Sequence, residues 1–260
     1  LKRGSRSGSA PAPGESPVVD QIRAQGELRA GIAIAVPWLG QDPSNSEYFG
    51  PSAEIGAAIA ERLGVKLTMV PSGWDVIIAG LQGNQFEVAL APLFATEKRK
   101  AVVDFVNYTF AGTCYAVRKD NDKINELDDM NQPAVTIGTW TGTGTEHGIV
   151  AKYTDATIDS IVQQVGGAHR TEDVLIGRID AAPFDAPLAF VIADKYTDVK
   201  IVPGGPEFCV NNSDIPFPIG MAFNKEQPVF AAFLAAVVAD MQGDIAAALV
   251  TYSAPEYMEP

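Results

Sequence analysis

The chain has 260 residues, of which 47% are hydrophobic and 20% charged, and its formal net charge is −13. This length exceeds a typical single core, so two lobes or one large α/β domain are expected, and the composition is that of an ordinary globular protein. The acidic balance excludes a nucleic-acid partner, since phosphate binding rests on clustered Lys and Arg. A membrane span of roughly 20 apolar residues is also missing, because the most hydrophobic run, Pro228 to Val250, is broken by Asp240, Gln242, Gly243 and Asp244.

Leu1 to Pro17 is rich in Ser, Gly, Pro and Ala with basic residues and lacks an apolar h-region, so it reads as a flexible leader. Glu27 to Val36 is a short apolar strand. Ser52 to Leu63 places Ile55, Ala58, Ile59 and Leu63 on one helical face, with Gly64 as its C-cap. Val65 to Val70 predicts a second strand, Val76 to Gln82 a second helix and Phe86 to Ala91 a third strand. The β-α-β-α-β order is that of a parallel sheet. Glu97 to Val103 reads as a short helix and Gly112 to Arg118 as a strand.

After a polar stretch, Lys119 to Gln132, the pattern starts again. Strand Ala134 to Gly138, a helix from Glu146 and a strand near Ile158 are followed by helix Thr171 to Ile176, strand Ile179 to Pro183, helix Ala186 to Lys195 and strand Val199 to Pro203. Ile219 to Phe223 is a further strand, and Pro228 to Tyr252 forms long helical segments. Two similar α/β units result, and ligands of such sheets sit beyond the carboxyl ends of the strands. Cys114 and Cys209 are too few and too far apart for a zinc site, which leaves one disulfide or two buried thiols.

Three elements carry chemistry. Thr96 can cap a helix whose first turn bears Arg99, combining backbone N–H groups with a planar guanidinium suited to a carboxylate; a capped surface helix with a solvated Arg has the same local sequence. The loop Gly138-Thr139-Trp140-Thr141-Gly142-Thr143-Gly144-Thr145-Glu146 follows a strand and opens a helix, offering amides and hydroxyls to an anion. It has neither the Lys of a P-loop nor the spacing of a dinucleotide fingerprint. In Gly177-Arg178-Ile179-Asp180-Ala181-Ala182-Pro183-Phe184-Asp185 a buried strand ends at an acid, and Asp185 there can receive an ammonium, cap the next helix, or both.

In order and spacing these elements resemble the polar amino-acid-binding proteins of ABC importers (family 3). The resemblance covers nearly the whole chain from Val18. It includes Gly26-Glu27-Leu28-Arg29, Pro37-Trp38, Leu81-Gln82-Gly83, Thr96-Glu97-Lys98-Arg99 with Val103-Asp104-Phe105, Gly142-Thr143, Gly177-Arg178-Ile179-Asp180 with Asp185, and Gly220-Met221-Ala222-Phe223-Asn224-Lys225. It implies an α/β, two-lobed periplasmic-binding-protein fold (type II, Venus flytrap) with a mixed sheet in each lobe. Lobe 1 is expected at 18–112 and 206–260, and lobe 2 at 113–205. It also implies an exported, monomeric protein with its signal removed, a membrane permease as partner, and no cofactor or metal.

By the same resemblance Arg99 takes the α-carboxylate from lobe 1, while Thr143 and the amide of Gly144 hold it from lobe 2. Asp185 takes the α-amino group, and Trp38 and Trp74 flank the ligand side chain. A zwitterion removed from water needs both charges paired, so binding should favour a closed state. Phe94 stands where the family has a hydroxyl, Pro92 where it has a small or polar residue, and Ile32 to Val36 lacks the acid common in binders of cationic amino acids. With Trp140, the third tryptophan, these departures make an aromatic-lined site, although any one tryptophan is more often core. The set Trp38, Trp74, Phe94 and Arg99 is similar to the ectoine-binding branch. The expected ligand is a zwitterionic compatible solute or modified amino acid with an apolar or delocalised cationic group, and a plain aromatic or aliphatic amino acid is the alternative. Cyclohexadienyl dehydratases share the fold, but the helix after Asp185 carries no general acid, and His147 and His169 have no catalytic partner nearby in sequence. A receptor sensing domain is a third class.

Overall fold

The computed structural model describes residues 9–163, 169–254 and 257. Its first elements are α1 (Pro17–Gln25), β1 (Glu27–Ile32), β2 (Gly40–Gln41), β3 (Tyr48–Phe49), α2 (Pro51–Leu63), β4 (Lys66–Pro71), α3 (Ile77–Gln82), β5 (Val88–Phe94), α4 (Glu97–Lys100) and β6 (Val103–Arg118). There follow β7 (Thr136–Trp140), α5 (Gly144–Lys152), β8 (Thr157–Ile161), α6 (Thr171–Leu175), β9 (Ala181–Asp185), α7 (Ala189–Lys195), β10 (Val199–Val202), α8 (Pro206–Asn211), β11 (Asp214–Asn224), α9 (Pro228–Asp240) and α10 (Gln242–Tyr252). The chain divides into two compact units, one running to Thr109 and resuming at Ile219–Tyr252, the other spanning Phe110–Pro218.

Both units use one plan. In the first, β1 lies between β4 and β5, parallel to both, and β11 runs antiparallel beside β5. In the second, β7 lies between β8 and β9, parallel to both, and β6 runs antiparallel beside β9. Each unit is thus a mixed sheet with helices, the α/β architecture the sequence pattern implies. Ala33, Ile77, Leu81, Phe86, Ala89 and Leu93 form one core cluster of the first unit. In the second unit β6 alternates: Cys114 and Ala116 enter one buried cluster with Ala182 and Phe184, while Tyr115 and Val117 enter another with Ala181 and Ile149. This two-residue period is the strand's own geometry.

Several expected boundaries move, for local reasons. Residues 1–8 of the expected leader lie outside the described residues, but its end is structured. Ser16 caps α1, accepting from the Val19 amide at 3.5 Å, and Pro17 opens the helix, as its fixed φ favours. Strand β1 stops at Ile32, short of Val36, because Ala35 begins a tight turn in which its carbonyl accepts from both Trp38 N and Leu39 N at 2.9 Å. Helix α4 ends at Lys100, and Val103 instead opens the 16-residue strand β6. The expected helix Ala186 to Lys195 is instead a 3-10 turn, Ala186–Leu188, with Pro187 in its first turn, followed by α7. Gly64 does close α2, at φ 69°.

Residues 206–218, expected in lobe 1, group with the second unit, as do 110–112. The cause is covalent as well as steric: Cys209 of α8 is disulfide-bonded to Cys114 of β6, and both are buried in one apolar cluster. Among the described residues no single helix is long and apolar enough to cross a membrane; α9 and α10 bend by 63° at their junction, and α9 buries Phe230, Phe233, Leu234, Val237 and Val238.

One buried polar cluster anchors β11 in the second unit. Asp214, 6% exposed, accepts from Tyr115 Oη at 2.8 Å and Tyr153 Oη at 2.6 Å, and pairs with Lys152. Burial, with the neighbouring carboxylate, raises both phenols above their ordinary value. Above about pH 10 an unfolded chain loses these protons while the native one keeps them, so the unfolded state binds fewer protons and stability falls as pH rises. Urea unfolding between pH 9 and 11 should show this decline, and Tyr153→Phe should remove about one proton from its slope. An unaltered slope in that variant would show that Tyr153 is not responsible.

Candidate functional site

Arg99 is the best-defined functional side chain of the first unit. The Thr96 hydroxyl accepts from the Arg99 amide at 3.3 Å and so starts α4, turning the Arg99 side chain back along the chain. Its Nη1 donates to the Phe94 carbonyl at 2.9 Å. The residue is 5% exposed, and desolvation pulls its guanidinium down to about 10. The expectation of a solvated surface Arg therefore fails, because the β5 to α4 turn draws Arg99 inward. A planar guanidinium carries five N–H donors suited to a carboxylate.

The aromatic residues of this unit differ in placement. Phe94, the last residue of β5, is 6% exposed, and Trp38, in the turn after β1, is 1% exposed. Trp74 is partly buried against the cluster of Ile77, Leu81 and Phe86.

In the second unit the Gly/Thr loop is largely self-satisfied. The Thr143 hydroxyl donates to the Trp140 carbonyl at 2.8 Å and accepts from Glu146 N at 3.1 Å, which makes it the N-cap of α5. Helix α5 consequently starts at Gly144, two residues before Glu146. The Glu146 carboxylate accepts from Gly142 N at 2.7 Å, and the hydroxyls of Thr141 and Ser160 share a bond of 2.9 Å. Gly142 sits at φ 81°, a left-handed conformation that a side chain would strain. The Thr141 and Thr143 hydroxyls are thus committed to partners within the protein, whereas the buried Thr139 hydroxyl has no hydrogen-bond partner. The first-turn amides of Gly144 and Thr145 have no intrahelical acceptor, and the positive end of the helix dipole lies there.

Trp140 is held by a residue the sequence reading passed over. The Arg170 guanidinium lies 5.7 Å from the Trp140 ring and is itself fixed by Asp159 at 2.6 Å and Asp173 at 2.7 Å. One region of the indole is therefore covered by the chain's own cation. Asp185 ends β9, half-buried, directly opposite Thr113 of β6. Of the two histidines, His169 packs edge-on against Tyr196, and burial lowers its pKa. Among the described residues no group of three or more His, Cys, Asp and Glu is placed to hold a metal ion.

Comparison with known proteins agrees with this organisation. The L-cystine-binding protein TcyJ of Escherichia coli (strain K12) is 24% identical over 189 residues, which cover 72% of this chain and 69% of that protein. The L-arginine-binding protein of Pseudomonas aeruginosa is 24% identical over 159 residues, 61% of each. Among solved structures, the ancestral amino acid-binding protein AncCDT-1, a precursor of cyclohexadienyl dehydratase, superposes with TM-score 0.76 at 28% identity, over 91% of this chain and 100% of that one. Residues 28–252 match the model of one family, and with both sheets, the inward Arg99 and the α5 N-terminus in place, the chain belongs to the bacterial extracellular solute-binding proteins, family 3.

Proposed function

We propose that this protein captures a zwitterionic α-amino acid outside the cytoplasm and delivers it to the membrane permease of an ABC importer. The observation that carries this reading is Arg99, a buried guanidinium at the carboxyl end of a parallel strand. In this reading Arg99 takes the α-carboxylate. Thr143, as the cap of α5, directs the amide of Gly144 to the same group, and Asp185 takes the α-ammonium. Pairing both ionic groups offsets the cost of removing a zwitterion from water.

Relatives that bind L-cystine and L-arginine support the amino-acid class. Trp38, Trp74, Phe94 and Trp140 favour a side chain with a flat, delocalised or apolar group, and an arginine-like guanidinium meets that description. Catalysis is disfavoured because the residues following Asp185, from Ala186 to Phe190, offer no proton donor.

A thermal-shift panel tests this reading. It comprises the twenty amino acids, L-cystine, ectoine and glycine betaine. A ligand present at 100 times its Kd adds about 2.7 kcal/mol, which is roughly 5–10 °C of melting temperature for a chain of this size. At least one α-amino acid is expected to give a shift of that size. Silence from every α-amino acid refutes the proposal, and a response to ectoine or glycine betaine alone reassigns the ligand to a compatible solute.

A further inference from the structure

Thr113 lies on β6, is 0% exposed, and its hydroxyl oxygen has no hydrogen-bond partner. An orphaned buried hydroxyl is costly to keep, and a valine of the same shape would remove the cost. In the antiparallel β6 to β9 ladder Thr113 stands directly opposite Asp185, so the two side chains leave the sheet on the same face with their Cβ atoms adjacent. That face is fixed by alternation: Tyr115 and Val117 on β6 and Ala181 on β9 share it with Ile149 of α5, whereas Cys114, Ala182 and Phe184 occupy the other. The Thr113 hydroxyl and the Asp185 carboxylate therefore lie on the side of the sheet that α5 covers.

We infer that Thr113 is a further ligand-binding and specificity residue, its hydroxyl accepting a hydrogen bond from the ammonium that Asp185 neutralises. The inference rests on the proposed amino-acid reading and narrows its substrate class. A nitrogen with at least two N–H donors can bond the hydroxyl oxygen and the carboxylate at once. A primary or secondary ammonium has them, and a quaternary one has none. The pair thus favours α-amino acids over fully methylated betaines, whatever the side chain.

The test uses the α-amino acid that most stabilises the wild-type chain in the panel above, with Kd measured by titration calorimetry for Thr113→Val and Thr113→Ser. Thr113→Val is expected to weaken binding roughly tenfold or more, while the melting temperature of the unliganded variant stays level or rises. Thr113→Ser, which keeps the hydroxyl, is expected to retain most of the affinity. Thr113→Ala replaces the Val variant if that one does not fold. Unchanged affinity in Thr113→Val, or equal losses in Val and Ser, overturns the inference and leaves the amino-acid reading intact. Wild-type affinity for glycine betaine matching that for the amino acid also overturns it. If no amino acid binds the wild type, the reading and the inference fall together.

Discussion

Arg99→Ala is expected to abolish ligand-induced stabilisation while leaving a folded protein. Truncating one partner of a desolvated, hydrogen-bonded charge pair costs about 2–5 kcal/mol, which weakens Kd by roughly 30-fold to several thousand-fold. The upper part of that range is favoured because Arg99 is 5% exposed and its guanidinium is pulled down to about 10 by burial alone. An anion delivered to such a cation interacts in a medium that screens it weakly. Arg99→Lys should recover little, since an ammonium at the end of a flexible stem cannot reproduce the planar two-bond grip and would give up the bond from Nη1 to the Phe94 carbonyl. Titration calorimetry with the best ligand of the panel, alongside circular dichroism of the unliganded variant, makes the comparison. Arg99→Ala affinity within threefold of wild type would remove Arg99 from the binding machinery.

How much of this was legible in the sequence depends on the range of the interaction concerned. The β-α-β order of both units could be read because each strand and helix carries its own periodicity, and Gly64 marks a helix end by backbone preference. Helix α8 escaped because a six-residue helix with one buried side chain, Cys209, has no period to detect. The first half of β6 escaped for a related reason, since Asp104, Asn107 and Thr109 interrupt any apolar alternation. Helix α1 was the exception, for Ser16-Pro17 and Gly26 are readable end signals that the low-complexity stretch before them obscured. At the site, Arg99 and its capping Thr96 are neighbours in sequence, so the pair was visible, but the inward turn of the guanidinium was not. The contact of Arg170 with Trp140 and the pairing of Thr113 with Asp185 join strands and turns distant along the chain. The first is seen only in the packed side chains and the second only in the strand register.

The remaining large effect concerns the disulfide, which the sequence left as one of two alternatives. Replacing Cys114 and Cys209 together with Ala is expected to lower stability by about 4 kcal/mol. The bond closes a loop of 95 residues, and the chain-entropy account assigns about 4.7 kcal/mol to a loop of 100. On the melting scale this is a fall of roughly 8–16 °C. Both sulfur atoms lie in the cluster of Ala182, Phe184, Leu188 and Ile192, so the alanines also leave a small void that adds to the loss. Binding should respond far less. Thr113 and Asp185 remain aligned by a ladder that pairs Thr113 through Val117 with Asp185 through Ala181, and Cys114 faces away from them. Calorimetry of the wild type and the double variant, each with and without the best ligand, separates the two effects. A loss of stability below about 1 kcal/mol would show that the cross-link does not constrain the unfolded chain as the loop-closure account requires. A tenfold loss of affinity would show instead that α8 holds the Thr113 and Asp185 pair in register, and that the strand ladder alone is insufficient.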